Sequence, residues 1–428
     1  MRPRQSPPLR CAFIATLTGT ALAFTLAGCA STGGGAGRAD HVTISSPATS
    51  ASTGESATHG ARALLAAAAP DNRDRDFRTI INDAKARVFP AVVFIRCVQQ
   101  DYTGGDKASR EVAGSGVIIS PTGEVLTNWH VIDKAVALRC LLYDGRAMDA
   151  KIIGSDKDTD LALLQLEPAT SDEKTAAPFP YASFGDSSKL QEGDFVMAMG
   201  APWGLSRSVS LGIISCTKRY LPDTSEYSAW LQTDASISPG NSGGPLVNTD
   251  GQVIGINTRG IMDGGTLGFA VPSAAILPVI AQLRKSGKVD WSWTGIQLQP
   301  LKDFNRNIYF DGTNGVIVAD TDPDSPARHA GILPRDRILK IDGQAVSAVT
   351  DEDLPEARRL LGTLSKSKPA TLELLRGDKP MTVEFTPREK GQVEGEEFAC
   401  SRWDCTVKTI NQFDNPDLYF QRHAGVFI

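Results

Sequence analysis

Residues Asp234-Ala235-Ser236-Ile237-Ser238-Pro239-Gly240-Asn241-Ser242-Gly243-Gly244-Pro245-Leu246, DASISPGNSGGPL, carry mostly side chains too small to build a core. Such a run is ordinarily a surface turn. It also suits a backbone that must pass close to a substrate and offer N–H groups to it. The hydroxyl of Ser242 sharpens the choice. A hydroxyl is a poor nucleophile until a base takes its proton and nearby donors receive the charge it creates. The reading therefore depends on a histidine and a carboxylate elsewhere in the chain.

There are five histidines: His41, His59, His130, His329 and His423. Only His130 falls in the strand-rich part of the chain that holds Ser242, within Leu126-Thr127-Asn128-Trp129-His130-Val131. For the carboxylate, Ser155-Asp156-Lys157-Asp158-Thr159-Asp160 runs into the apolar stretch Leu161-Ala162-Leu163-Leu164. Asp160 abuts that stretch and needs a buried partner. An imidazole N–H supplies one and fixes the tautomer that a general base requires. Asp156 and Asp158 are expected in a solvated turn. The order His130, Asp160, Ser242 is that of chymotrypsin-type proteases. Gly240-Asn241-Ser242 is the expected oxyanion site, with Gly240 turning the backbone so that its own N–H and that of Ser242 meet one oxygen.

The surroundings fit a mainly β fold. From Ala91 to Ala270, short runs such as AVVFIRCV, LALLQL, FVMAMG and VIGIN alternate with Gly, Pro, Asp and Asn turns, as in a barrel or sandwich. Helices are predicted over Phe77–Phe89, ended by Pro90, and over Ser273–Ser286, ended by Gly287. The first unit is thus 77–288. A smaller β-rich unit with helices spans 291–388. Its strings Asn307-Ile308-Tyr309-Phe310 and Gly315-Val316-Ile317-Val318 recur as Asp417-Leu418-Tyr419-Phe420 and Gly425-Val426-Phe427-Ile428, with the same Tyr-to-Gly spacing. Residues 396–428 therefore read as an incomplete second copy of this unit.

The N-terminus reads as an export signal over 1–28. Arg2, Arg4 and Arg10 precede an apolar run that ends Leu26-Ala27-Gly28-Cys29. This resembles a bacterial lipobox, which implies lipidation of Cys29 and a membrane anchor. Residues 29–76, rich in Ser, Thr, Gly and Ala, are expected to form a disordered tether with a reach of about 40 Å. The net charge of -5 leaves no basic footprint for nucleic acid. No metal or cofactor is called for. Of the seven cysteines, Cys97, Cys140, Cys216, Cys400 and Cys405 follow Cys29. An oxidising compartment permits disulfides. Cys97 and Cys140, both in strand-like runs, can pair or stay free, and the sequence leaves the pairing open.

Together the strings GSGVII (114–119), TNWHVI, TDLALL, GAPWGL (200–205), QTDASISPGNSGGPL and GFAVPS (268–273) resemble the HtrA/Deg family. The resemblance covers about Phe77 to Arg388. It implies a chymotrypsin-like double β-barrel followed by a PDZ domain, with His130 as base, Asp160 orienting it and Ser242 as nucleophile. It places a pocket at Ser236, Ile237, Phe269 and Ala270, suited to a small or medium aliphatic residue before the scissile bond. The string GVIVADTDPDSPARHAGILPRDRILKIDGQAV carries the PDZ likeness, and Trp293-Thr294-Gly295-Ile296 matches the loop that receives a peptide's C-terminal carboxylate. Trp129 stands where the family has Asn, Ser236 and Ser238 where Ala and Asn are usual, and Arg335 where Gly is usual. The family implies unfolded or mislocalised proteins as substrates, a trimer or higher homo-oligomer with contacts at Phe77, Ile80 and Ile81, and the periplasmic side of a bacterial membrane. A signalling protease gated by its PDZ domain and a chaperone-like holdase are the alternatives.

Overall fold

The computed structural model describes residues 76–101, 107–168, 178–201, 207–222, 224, 226–261, 267–303, 314–400, 402–422 and 424–428. The expected signal segment, Cys29 and the tether up to residue 75 lie outside the described residues. So do His41, His59, His423 and the first copy of the repeated Tyr-Phe string.

Asp76 caps α1 (Phe77–Val88), its carboxylate accepting from the Arg78 N–H, and the Phe89-Pro90-Ala91 turn ends it. Six strands follow: β1 (Val92–Asp101), β2 (Ala108–Ile118), β3 (Glu124–Thr127), β4 (Ala135–Leu141), β5 (Ala147–Asp156) and β6 (Leu161–Glu167). They close into an antiparallel barrel because β1 pairs with both β2 and β4. A short helix, α2 (Trp129–Ile132), sits between β3 and β4. A second closed barrel is built from β7 (Phe195–Gly200), β8 (Ser208–Arg219), β9 (Trp230–Thr233), β10 (Pro245–Asn248), β11 (Val253–Ile261) and β12 (Leu267–Pro272). Closure removes the unpaired edges that an open sheet of this length would expose. The strands read apolar because barrel interiors are filled with side chains: Ile95, Ile118, Leu126, Leu163, Met197, Ile214 and Leu231 are fully buried.

Helix α3 (Ser273–Ser286) leaves the second barrel and lies across β5 and β6 of the first. Its end is pinned where the Ser155 N–H donates to Gly287 O at 3.1 Å. The smaller unit contains β13 (Ser292–Trp293), β14 (Ile296–Gln299), β15 (Val316–Thr321), α4 (Pro326–His329), β16 (Arg337–Ile341), β17 (Gln344–Ala345), α5 (Leu354–Gly362), β18 (Ala370–Arg376), β19 (Lys379–Phe385) and β20 (Arg388–Glu389). Strands β14, β15, β16, β18 and β19 form its sheet over a separate core that includes Val316, Ile338, Leu361 and Leu372. β13 and β20 pair to close its neck.

After α6 (Lys390–Glu394), the chain forms β21 (Glu397–Cys400), β22 (Cys405–Thr409), α7 (Pro416–Gln421) and β23 (Val426–Phe427). β22 pairs antiparallel with β23, as β14 does with β15. Trp403 precedes β22 as Trp293 precedes β14, which extends the likeness between the copies by one residue type. Cys97 lies opposite Leu138, and Cys140 opposite Ile95, so the two are offset on neighbouring strands. All five described cysteines are free thiols. The directly opposed pair is instead Cys400 and Cys405. Burial, and then the charge of Asp133, push the Cys97 thiol up to about 11.

Arg335 has φ +73°, the left-handed conformation that the expected glycine would adopt freely. That conformation costs a non-glycine residue about 1–2 kcal/mol, whereas a new glycine loosens the unfolded chain by only about 0.4–1 kcal/mol. Arg335→Gly should therefore stabilise the protein by up to about 1 kcal/mol. Urea unfolding checks this, and Arg335→Ala, which keeps a Cβ, should bring no gain.

Candidate active site

The junction of the two barrels gathers the residues singled out from sequence. Asp160 ends a tight turn in which its own N–H donates to Lys157 O at 3.1 Å. Its φ of +55° turns the chain sharply into β6, a left-handed position that Asp tolerates better than most residues. Its carboxylate accepts from the His130 backbone N–H at 3.0 Å and lies 2.8 and 2.9 Å from His130 Nδ1. Ring and main chain are thus gripped by one group, and the Nδ1 proton is held facing Asp160. The other ring nitrogen is left for chemistry.

Asn128 does structural work that the sequence reading missed. Wholly buried, it donates from Nδ2 to Asp160 O at 2.9 Å and to Thr258 Oγ1 at 3.1 Å. It thereby ties the His–Asp segment of the first barrel to β11 of the second. Thr258 in turn accepts the Ser242 hydroxyl at its backbone oxygen, 2.9 Å away. Here the structure departs from expectation: among the described residues, the Ser242 proton is given to Thr258 O and not to His130. A turn about χ1 moves a serine hydroxyl between staggered wells, and catalytic hydrogen bonds often tighten only when substrate is bound.

The loop holding Ser242 is fixed by backbone bonds on both sides. Ser115 N–H donates to Ser242 O at 2.8 Å, and Ser115 Oγ donates to Gly240 O at 2.6 Å while accepting from Ala201 N–H at 2.8 Å. Gly243 N–H donates to Asn257 O, and Asn257 N–H returns to Gly244 O. A Cβ on Gly243 would collide with Ser115 O and Thr127 Oγ1, so the small residues of the opening stretch are required by close approach. Of the expected oxyanion residues, Asn241 is corrected: its N–H is used by Ser238 O at 2.9 Å. The N–H groups of Gly240 and Ser242 meet no carbonyl among the described residues.

A cavity beside His130 has walls that the sequence reading did not single out. Of about 500 Å³, it is walled by Leu221, Pro222 and Thr224 on one side and by Thr258, Arg259 and Gly260 on the other. Phe269 and Ala270 are core residues of the second barrel and do not line it. Ile237 is buried against Gly260 and Gly268, and Ser236 is exposed with its carbonyl accepting from Ser210 Oγ at 2.7 Å. The expectation for Asp156 is overturned. It is buried, accepts from Thr159 and from Trp291 Nε1 at 2.9 Å, and is pushed up to about 6 by burial and then by the charge of Asp158.

In the smaller unit, Trp293, Thr294, Gly295 and Ile296 line one end of a second cavity of about 600 Å³, bounded by β14 and by Arg358, Leu361 and Gly362 of α5. Ile296 N–H is taken by Thr294 Oγ1 at 3.2 Å. Phe413 lies edge-on to Trp293, ring centres 6.4 Å apart, so residues after β22 share this mouth.

Two closed six-stranded barrels, the Ser242 loop at their junction and a trailing smaller β-rich unit define a chymotrypsin-like protease domain followed by a PDZ domain. The trypsin-like peptidase domain family matches residues 114–256, and the PDZ domain family matches residues 294–386. A protein of Halomonas elongata named as a probable periplasmic serine endoprotease, DegP-like, is 39% identical over 286 residues, 66% of this chain and 57% of its own. A protein of the same name from Marinomonas sp. (strain MWYL1) is 39% identical over 284 residues, 65% and 58% of the two chains. Among solved structures, the HtrA-type protease AlgW with tripeptide superposes with a TM-score of 0.62 at 31% identity, over 72% of this chain and 96% of its own. The serine endoprotease from Yersinia pestis gives 0.53 at 32% identity, over 72% and 97%. The chain belongs to the HtrA/Deg family of serine proteases. The match spans under three-fifths of the length of these curated relatives, 57% and 58%.

Ser115, fully buried, holds the nucleophile loop through Gly240 O. Ser115→Ala should leave that carbonyl without its donor and cost about 1–3 kcal/mol of stability. Chemical denaturation measures it, and a loss under about 0.5 kcal/mol would show that the bridge is dispensable.

Proposed function

We propose that this protein is an exported serine endopeptidase, lipid-anchored at Cys29 on the periplasmic side of a membrane, that hydrolyses unfolded or mislocalised proteins. The observation that carries the reading is the grip of Asp160 on both the ring and the backbone of His130, beside a loop whose Ser242 hydroxyl bonds to Thr258, which lines the same cavity as His130. In this mechanism Ser242 Oγ attacks the scissile carbonyl carbon while its proton passes to His130 Nε2. Asp160 stabilises the imidazolium through Nδ1–H. The free N–H groups of Gly240 and Ser242 receive the negative charge that builds on the carbonyl oxygen. His130 then returns the proton to the departing amine, and water repeats the sequence on the acyl-enzyme.

The engagement of the Ser242 hydroxyl by Thr258 O favours a protein held at rest until a ligand shifts it. The cavity at Trp293–Ile296 is suited to a peptide C-terminus as that ligand. The AlgW structures contain peptides, which supports the same reading for the PDZ domain here. Phe77 packs at a tilt of 55° against Phe195, ring centres 4.8 Å apart and both rings exposed, a surface fit for the expected trimer or higher homo-oligomer.

The full chain should cleave casein, and Ser242→Ala should lower the rate by roughly 10⁴-fold or more. Casein cleavage that survives this change would end the protease reading. Suppression of aggregation by the inactive variant, with no cleavage by wild type, would select the holdase. Peptides with a free C-terminal carboxylate should raise wild-type turnover, and the same peptides amidated should not. Equal rates with both would remove the PDZ domain from regulation.

A further inference from the structure

The turn that carries Asp160 is not held by the barrels alone. Lys390, the first residue of α6, is 8% exposed and reaches Asp158 Oδ2 at 2.7 Å, across a separation of 232 residues. Its ammonium also lies 5.0 Å from the centre of the Tyr227 ring. Tyr227 stacks on Trp291 at 3.9 Å, and Trp291 Nε1 donates to Asp156 at 2.9 Å. The Trp291 carbonyl accepts from Lys390 N–H at 2.9 Å, which closes the circuit. Asp156 and Asp158 are therefore both clamped, four and two residues before Asp160, by groups that flank the PDZ domain on either side.

The need for a cation follows from the charges. Asp156 and Asp158 repel across a turn that is mostly dry. Without a positive partner the turn would open toward water to separate them. Asp160 N–H is bonded to Lys157 O inside this same turn, so such an opening displaces the carboxylate that aligns His130. A second link, Glu397 to Lys134 at 3.3 Å, joins the same C-terminal region to the chain just after α2. Both partners there are more than one-third exposed, at 46% and 36%, so that link counts for little. The buried pair dominates.

We infer that Lys390 is a positioning residue for the reaction: by neutralising Asp158 it holds the Asp156–Asp160 turn closed and the Asp160 carboxylate on His130. The inference rests on the protease reading above and adds to it that catalytic alignment in the barrels depends on a side chain from beyond the PDZ domain. Lys390 does not line the cavity beside His130 but borders the one at Trp293–Ile296, so with a substrate amidated at its C-terminus the effect falls on turnover and not on binding.

The test uses the full chain with a C-terminally amidated, casein-derived fluorogenic peptide and, separately, a fluorophosphonate that reacts with an activated serine. Lys390→Met should lower kcat about 30- to 100-fold, the scale of a misplacement of about 1 Å in catalytic groups, with KM within about twofold and phosphonylation slowed in parallel. Lys390→Arg, which keeps the charge, should recover most of the rate. If Lys390→Met does not fold, Lys390→Met with Asp158→Asn removes both buried charges together and avoids stranding one. The paired variant should fold and keep kcat close to wild type, because it no longer carries the Asp156–Asp158 repulsion that opens the turn. Wild-type kcat in a folded Lys390→Met protein, or a folded paired variant that still loses kcat about 30-fold, overturns the inference and leaves the protease reading intact. A rise in KM with kcat unchanged does so as well. A wild-type chain that neither cleaves peptide nor reacts with fluorophosphonate, by contrast, brings down the protease reading and this inference with it.

Discussion

The bond between Asp160 and His130 is the constraint on which the rest of the site depends. Both groups lie in the first barrel, His130 on α2 and Asp160 on the turn that enters β6, and each segment is strained or anchored to bring them together. Asp160 accepts a left-handed backbone to aim its carboxylate, and His130 yields both its main-chain and its ring N–H to that carboxylate. A carboxylate at this junction is tolerable only because those donors replace the water it lost. The second barrel contributes nothing to this pair directly. It contributes the loop of Ser242, and the two halves are joined by Asn128 and Ser115, which are buried polar residues with bonds to both sides.

The same logic of satisfied buried polar groups extends outward. Asp156, Asp158, Tyr227, Trp291 and Lys390 form a contact between the protease barrels and the neck of the PDZ domain that is closer to an interior than to a surface. Tyr227 belongs to the segment between β8 and β9, whose Leu221, Pro222 and Thr224 wall the cavity beside His130. Tyr227 and neighbouring Glu226 also border the cavity at Trp293–Ile296. One segment thus touches both cavities, and packed groups with two discrete arrangements are the physical means by which one cavity senses another.

Much of this was legible in the chain. Strand-like runs of Val, Ile and Leu marked the barrels because closed barrels bury alternate residues, and Pro90 and Gly287 marked helix ends. His130 was identifiable because no other histidine shares the strand-rich region, and Asp160 because a carboxylate against Leu161–Leu164 demands a partner. The cavity beside His130 was not legible. Phe269 and Ala270 are apolar, but in β12 they fill the barrel, and the wall of that cavity is made by Leu221, Pro222 and Thr224 with Thr258, Arg259 and Gly260. Asp156 was misread because charge density in Asp156-Lys157-Asp158-Thr159-Asp160 suggests solvation. The side chain that reaches it, Trp291, and Lys390, which pairs with Asp158 beside it, belong to distant parts of the chain.

The amino-acid sequence by itself determined the double-barrel class, the PDZ module, the chemistry of the site and the three residues able to perform it. The strand-rich unit and the candidate residues follow from local patterns of periodicity, turn residues and the order His, Asp, Ser, while the double barrel and the PDZ module follow from the resemblance of its strings to the HtrA/Deg family. Only the tertiary structure decided where the Ser242 hydroxyl points, which backbone N–H groups stay free, and that the turn of Asp160 is braced from beyond the PDZ domain. Those outcomes depend on which distant donors and charges reach one another once water is excluded, and no local pattern encodes that competition.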